Sequence, residues 1–184
     1  MDNTEQHPFH FLSQAFSYPE KDSIKESIKT LSLLASDLGY SIEQPELLEG
    51  DSLQDMQVEY VRLFINAADG IFAPPYASIY VNGAGILRQQ GYDEALSYYS
   101  EAGVEPVADN ESPDHIAHEL GFVGLLLDKE QDDILDRFLE KHLLQWYPAF
   151  LQRLQDASPR PFYSVLGQIT DLCLRQIPKE VIHE

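Results

Sequence analysis

Basic residues are scarce in this chain. Twelve lysines and arginines stand against 31 aspartates and glutamates, a formal net charge of −19. Such a field repels nucleic acid and anionic membrane surfaces, excludes nucleic acid as a partner, and favours cationic ones; it also serves solubility alone. Cysteine is nearly absent. The single Cys173 excludes an internal disulfide and a cysteine-built zinc framework, and its place in the apolar run Ile169–Ile177 predicts a buried thiol rather than a reactive one. No run of about 18 apolar residues occurs, so no transmembrane segment is expected. The opening MDNTEQHPFHFL lacks a basic segment and a long apolar one, so no secretion signal is expected either, and the protein is expected to be soluble and cytoplasmic. Strand-type alternation, internal repeats and low-complexity segments are also missing.

What is present is helical spacing. With 184 residues, 43% of them hydrophobic, one core and one domain over 1–184 are expected. Phe9, Leu12, Ala15 and Phe16 predict a short first helix that stops near Tyr18-Pro19. Ile24, Ile28, Leu31, Leu34, Ala35 and Leu38 predict a second, with Gly39 as its stop. Tyr40–Gly50 reads as a loop, and Asp51 or Ser52 as the cap of a third helix whose face is Leu53, Met56, Tyr60, Leu63, Phe64 and Ala67. Asp69–Tyr80 contains two adjacent prolines that break the helix, yet it is rich in aromatics that must pack on something. Val81–Gln90 is ambiguous because Gly83 and Gly85 weaken any helix, and Tyr92–Ala102 is helical again up to Gly103. A polar linker, 104–111, separates a front part, 1–103, from a rear part, 112–184; such hinges permit exchange between chains, so a monomer or a domain-swapped homodimer is expected. Helices are predicted over Pro113–Asp128, Asp132–Trp146 and Phe162–Ile177, with a shorter piece, Pro148–Leu154, in between. The fold class is all-α, a compact irregular helical bundle.

Glu111–Phe122 is the most decorated stretch. Ser112 suits a helix N-cap, Pro113 the first helical position and Asp114 the first turn. His115, His118 and Glu119 lie on the same helix, so the cluster is open to catalysis, metal binding, partner binding or mere capping. HExxH and a second Glu-x-x-His helix are absent, as are a GxSxG elbow and a GxxxxGK[ST] loop; catalysis, metal and nucleotide therefore have little support from the residues. Phe72–Tyr80, by contrast, offers rigid aromatics, prolines and Ser78, as interfaces do, unless those side chains only close the core. The acidic run Asp128, Glu130, Asp132, Asp133 and Asp136 is either a solvated face or a guide for a basic peptide.

Four pieces occur in one order: Glu59-Tyr60-Val61-Arg62-Leu63-Phe64; Pro74-Pro75-Tyr76-Ala77-Ser78-Ile79-Tyr80; Glu111-Ser112-Pro113-Asp114-His115 with Glu119-Leu120-Gly121-Phe122; and Phe138-Leu139 with His142-Leu143-Leu144-Gln145-Trp146-Tyr147-Pro148 and Phe150. Together they resemble the Y-x-x-L-F, P-P-[YW]-x-S-x-[YW], E-x-P-D-H and F-L-x-x-H-L-x-x-W-x-P-x-F motifs of the TorD/DmsD family of cytoplasmic redox-enzyme maturation chaperones, related to the NarJ type. The resemblance implies an all-helical chaperone without catalytic turnover. It would bind the twin-arginine signal peptide and apo catalytic subunit of a molybdoenzyme, assisting cofactor insertion before Tat export. The alternatives are an assembly factor for a non-exported redox enzyme and a metal- or nucleotide-dependent hydrolase. Carried over by motif, the peptide surface would use Tyr60, Leu63, Phe64, Pro75, Tyr76, Ser78, Tyr80, Asp114 and His115, with Asp114 pairing a peptide arginine. Tyr stands at 60, 76 and 80 where some relatives have Trp. No metal or catalytic residue is implied; guanine nucleotide is associated with the family, though this sequence offers no loop for it.

Overall fold

A computed structural model describes residues 7–20, 24–43, 52–66, 72–81, 90–106 and 111–177. Among them every regular element is helical, and the one β feature is an isolated bridge between Tyr76 and His115. The described chain divides into two compact units. One holds the residues up to Phe16 and from Tyr76 to Trp146; the other holds Ser17–Pro75 and Tyr147–Ile177. Each unit thus takes segments from both sides of the expected 104–111 linker, a division the local composition did not indicate.

The first unit contains α1 (Pro8–Ala15), α4 (Ala77–Tyr80), α5 (Gln90–Glu101), α6 (Ile116–Asp128) and α7 (Asp132–Phe138). Pro8 opens α1, where its missing N–H is not needed, and Phe9, Leu12 and Ala15 are buried. α1 packs along α6. The contact is close because Gly124 has no side chain: a Cβ there would lie 2.9 Å from the His10 ring. Ser13 Oγ also donates to the Ala117 carbonyl at 2.7 Å. α5 ends at Gly103 in the left-handed conformation, φ +69°.

The second unit contains α2 (Ile24–Asp37), α3 (Leu53–Tyr60) and α9 (Pro161–Gln176). α2 buries Ile28, Leu31 and Ala35 and ends at Gly39, φ +68°. α3 starts with a capping box: Asp55 N–H donates to Ser52 Oγ at 3.2 Å, and Ser52 N–H to the Asp55 carboxylate at 3.0 Å. The helix then widens into a π-helical turn, Val61–Ile65. The wider turn lets Tyr60, Leu63 and Phe64 all face inward. Phe64 meets Tyr60 at 4.9 Å and Tyr163 at 5.4 Å between ring centroids. Glu59, only 5% exposed, is held by Arg62 at 2.8 Å and by the Arg160 backbone N–H at 2.8 Å. Arg62 and that N–H bring the carboxyl below its usual range even though burial, the largest influence, pushes it up.

The expected 132–146 helix and the Pro148–Leu154 piece are continuous. α7 passes through a second π turn, Leu139–Leu143, into α8 (Leu144–Asp156), with Pro148 inside α8. The break that proline predicts does not occur. A proline ring disturbs the turn before it, and here that turn borders the wider π register. Ser112 and Pro113 do not begin α6 as expected. The helix starts at Ile116 with His115 as N-cap, its Nδ1 accepting from the Ala117 N–H at 3.1 Å. The readings made for Asp51, Ala67, Gly83 and Gly85 lie outside the described residues. Cys173 is buried, and burial pushes its thiol up to about 11.

Candidate functional site

Two segments distant in sequence meet at the entrance of α6. Tyr76 and His115 form the antiparallel bridge, and the Ala77 N–H donates to the Asp114 carbonyl at 3.0 Å. One residue on, the Ser78 N–H donates to Asp114 Oδ2, also at 3.0 Å. α4 is four residues long and Tyr76, at its N-cap, does not cap it with its side chain. Asp114 supplies the missing cap from 36 residues away, with its negative charge at the positive end of the short helix. Its other oxygen accepts from Ser112 Oγ at 2.5 Å. Ser112 therefore serves Asp114, and not the α6 backbone as the sequence suggested.

The surroundings hold this arrangement in place. His115 N–H donates to the Ser112 carbonyl at 2.9 Å, and Tyr99 OH to the Pro113 carbonyl at 2.7 Å. Burial, followed by the nearby Glu119 and Asp114 charges, raises the Tyr99 phenol well above its ordinary range. The Tyr76 ring lies edge-on to His115 at 5.0 Å, and its hydroxyl donates to Glu111 Oε2 at 2.8 Å. Beneath the segment is Gly91. A Cβ on it would fall 2.6 Å from the Ser78 nitrogen and 2.8 Å from the Ala77 carbonyl carbon. Gly91 was not singled out from the sequence; the available signal was a glycine bordering the Tyr92–Ala102 helical pattern, which marks a close backbone approach as readily as a weak helix.

One turn into α6, Glu119 is fully buried. Its Oε1 is 2.8 Å from His142 Nε2, and its Oε2 accepts the Trp146 indole N–H at 3.0 Å. The other ring nitrogen of His142 lies 3.0 Å from Glu94 Oε2. With a carboxylate at each nitrogen, the ring can donate from both only as the imidazolium. Burial opposes the charge, but Glu119 and Glu94 outweigh it and hold the imidazole up at about 9. Burial likewise raises Glu119, against the pull of His142 and Trp146. Trp146 in turn carries the Tyr80 ring stacked on it, 5.7 Å between centroids and 19° between planes.

Of the expected contact residues, the structure brings Tyr76, Ser78, Asp114 and His115 together, with Tyr80 at the end of the same segment. Ser78, Asp114 and His115 are each 1% exposed or less, so they shape the entrance from beneath its surface. Tyr60, Leu63, Phe64 and Pro75 belong to the other unit and are buried there, the first three in its aromatic core. The exposed apolar residues of that helix are Val58, Val61 and Ile65. Asp114, His115, His118 and Glu119, the set behind the hydrolase alternative, turn to different partners: Ser78, Ala117, the Ser112 carbonyl and the His142–Trp146 pair. Among the described residues no three His, Cys, Asp or Glu side chains converge as metal ligands, and no helix is long and apolar enough to cross a membrane.

A family model described as nitrate reductase delta subunit matches residues 21–152. The chaperone protein TorD of Photobacterium profundum is 32% identical over 126 residues, covering 62% of this chain and 58% of that protein. TorD of Vibrio parahaemolyticus is 25% identical over 131 residues, covering 65% and 60%. The Tat proofreading chaperone DmsD of Salmonella typhi is 26% identical over 132 residues, covering 71% and 64%. The matched part thus spans about three fifths of the length of these curated relatives. A crystal structure from Archaeoglobus fulgidus, of a candidate redox enzyme maturation protein, superposes with a TM-score of 0.65 at 24% identity, covering 93% of this chain and 94% of that one, and so shares its fold. With more than half of its length matched, this all-helical chain belongs to the nitrate reductase delta subunit family, which it shares with the TorD and DmsD chaperones.

Proposed function

We propose that this protein is a cytoplasmic maturation chaperone. Without catalytic turnover of its own, it binds the twin-arginine signal peptide of a molybdenum-containing oxidoreductase until the catalytic subunit is ready for Tat export. The observation that carries the reading is the entrance of α6. There the Tyr76–Tyr80 segment and the Asp114-His115 pair, which stand in two separate family motifs, are hydrogen-bonded into one structure. A net charge of −19 suits a ligand that opens with an arginine pair. Asp114 lies beneath the surface, so an arginine reaching it displaces the Ser78 or Ser112 bond. Glu111, exposed and joined to Tyr76, offers a carboxylate at the surface of the same site. In this reading Asp114 sets the segment and Glu111 meets the guanidinium, with Tyr76 as its aromatic neighbour.

Calorimetric titration with a peptide carrying the arginine pair tests this. Binding that weakens when the pair becomes two lysines, and again in Glu111→Gln, is expected. A protein that ignores every such peptide from its host's molybdoenzymes refutes the reading. The family description, nitrate reductase delta subunit, favours one second reading, an assembly factor for a redox enzyme without an export signal. Capture of the partner with and without its N-terminal segment separates the two.

A further inference from the structure

Glu119, His142 and Trp146 lie outside the proposed peptide contact, yet they form a network of buried polar groups. A buried ion pair is costly to desolvate and is seldom more stable than a well-packed apolar replacement; its best-attested use is to fix one geometry. The geometry here is specific. Glu94 on α5 holds one face of the His142 donor pair. His142, on the π turn between α7 and α8, orients Glu119. Glu119 takes the indole N–H of Trp146 and so fixes the rotation of the ring. The flat face of that ring receives Tyr80. One turn before Glu119, the entrance of the same helix is joined through Asp114 and His115 to Tyr76–Ser78. The first turn of α6 therefore holds the Tyr76–Tyr80 segment at both of the segment's ends, directly at Tyr76–Ser78 and through Trp146 at Tyr80.

We infer that Glu119, His142 and Trp146 are positioning residues: they hold Tyr80, and with it the far end of the Tyr76–Tyr80 segment, in the arrangement that receives a client peptide. The inference rests on the peptide-binding reading of that segment. It assigns the segment's end to side chains that a peptide does not touch, on elements reached only through the fold.

Trp146 is the chain's only tryptophan, so its fluorescence reads the Tyr80 stack directly in the full-length protein. Tyr80→Leu removes the stacked ring and leaves the network. Glu119→Leu removes the shared acceptor. Glu119→Gln keeps every hydrogen bond, because a neutral His142 can accept from the new amide while still donating to Glu94. Without peptide, Tyr80→Leu and Glu119→Leu shift the Trp146 emission and change its acrylamide quenching, and Glu119→Gln stays near wild type. With peptide, measured well below each melting midpoint, Glu119→Leu binds about tenfold more weakly and Glu119→Gln recovers the affinity. A folded Glu119→Leu protein with wild-type affinity overturns the inference, as does Trp146 emission indifferent to Tyr80→Leu. If Glu119→Leu does not fold, Glu94→Ala, which removes the acceptor at the solvent-side end of the network, replaces it in both measurements with the same expectations. If wild type binds no peptide, the peptide reading has failed, and the emission of Glu119→Leu alone decides whether the network holds Tyr80.

Discussion

Asp114 commits both carboxylate oxygens inside the protein, one to the Ser78 N–H and one to the Ser112 hydroxyl. Read as an exposed helix-end residue, it would be expected to matter more for binding than for folding. Its burial changes that expectation. Asp114→Ala leaves a buried N–H without its acceptor, which costs about 1–3 kcal/mol, and at this chain length each kcal/mol lowers the melting temperature by roughly 2–4 °C. Asp114→Asn loses less, because the Ser112 hydroxyl can accept from an amide as well as donate to a carboxylate. Thermal melts of the two variants check the order. His142 provides a second test. Its imidazole keeps a proton up to about pH 9 when folded, against 6.5 when not. Its contribution is therefore complete below pH 6.5 and lost as pH rises through 9, on the order of 3 kcal/mol. Urea melts from pH 6 to 10 should show that decline in wild type and not in His142→Gln.

At the scale of elements, the π turns distinguish this bundle from a regular one. Both overlap family motifs, Val61–Ile65 the first and Leu139–Leu143 the last. The first points Leu63 and Phe64 inward beside Tyr60; the second puts His142 against Glu119. Spacing rules built on 3.6 residues per turn treat these stretches as plain helix, so neither turn was legible in the sequence. Close approach between elements leads to a contrast of two glycines. Gly91→Ala places a methyl 2.6 Å from backbone at Ser78, and backbone cannot step aside; the segment must shift, and the gain in helix propensity of about 1 kcal/mol is overridden. Gly121→Ala meets the Ser13 hydroxyl at 3.2 Å, the end of a rotatable side chain. Denaturant titrations should show Gly91→Ala less stable than wild type and Gly121→Ala close to it, with the Trp146 emission altered in the first alone.

For the molecule as a whole, charge governs encounter. A net −19 accelerates the approach of a basic peptide, and salt screens it over about 8 Å at physiological ionic strength. Stopped-flow association rates of the twin-arginine peptide should fall steeply between low and physiological salt, while dissociation changes little. Equal association rates at both salts would separate the acidic surface from the binding event and leave it to solubility. The two compact units belong to this scale too. Each gathers segments from both sides of the 104–111 stretch, and no stretch of composition along the chain marks that division.

Local rules were enough for much of this protein. Apolar spacing placed the helices; Gly39 and Gly103 ended theirs in the left-handed conformation; Ser52 capped α3 with Asp55; Cys173 is buried. Each depends on neighbours within about one turn, which the sequence lists in order. The four ordered motifs determined the family for the same reason, being contiguous strings. Tertiary structure alone decided what the motif residues touch. Ser112 and Pro113 look like a helix start because Ser–Pro usually is one, but Asp114 is drawn to an N–H 36 residues earlier and the helix waits until Ile116. Glu119 looks like a surface carboxylate until the chain returns with His142 and Trp146, 23 and 27 residues on. Burial is what changes such residues: once water is gone, a carboxylate must find donors wherever the fold brings them, and no spacing along the chain encodes which ones those are.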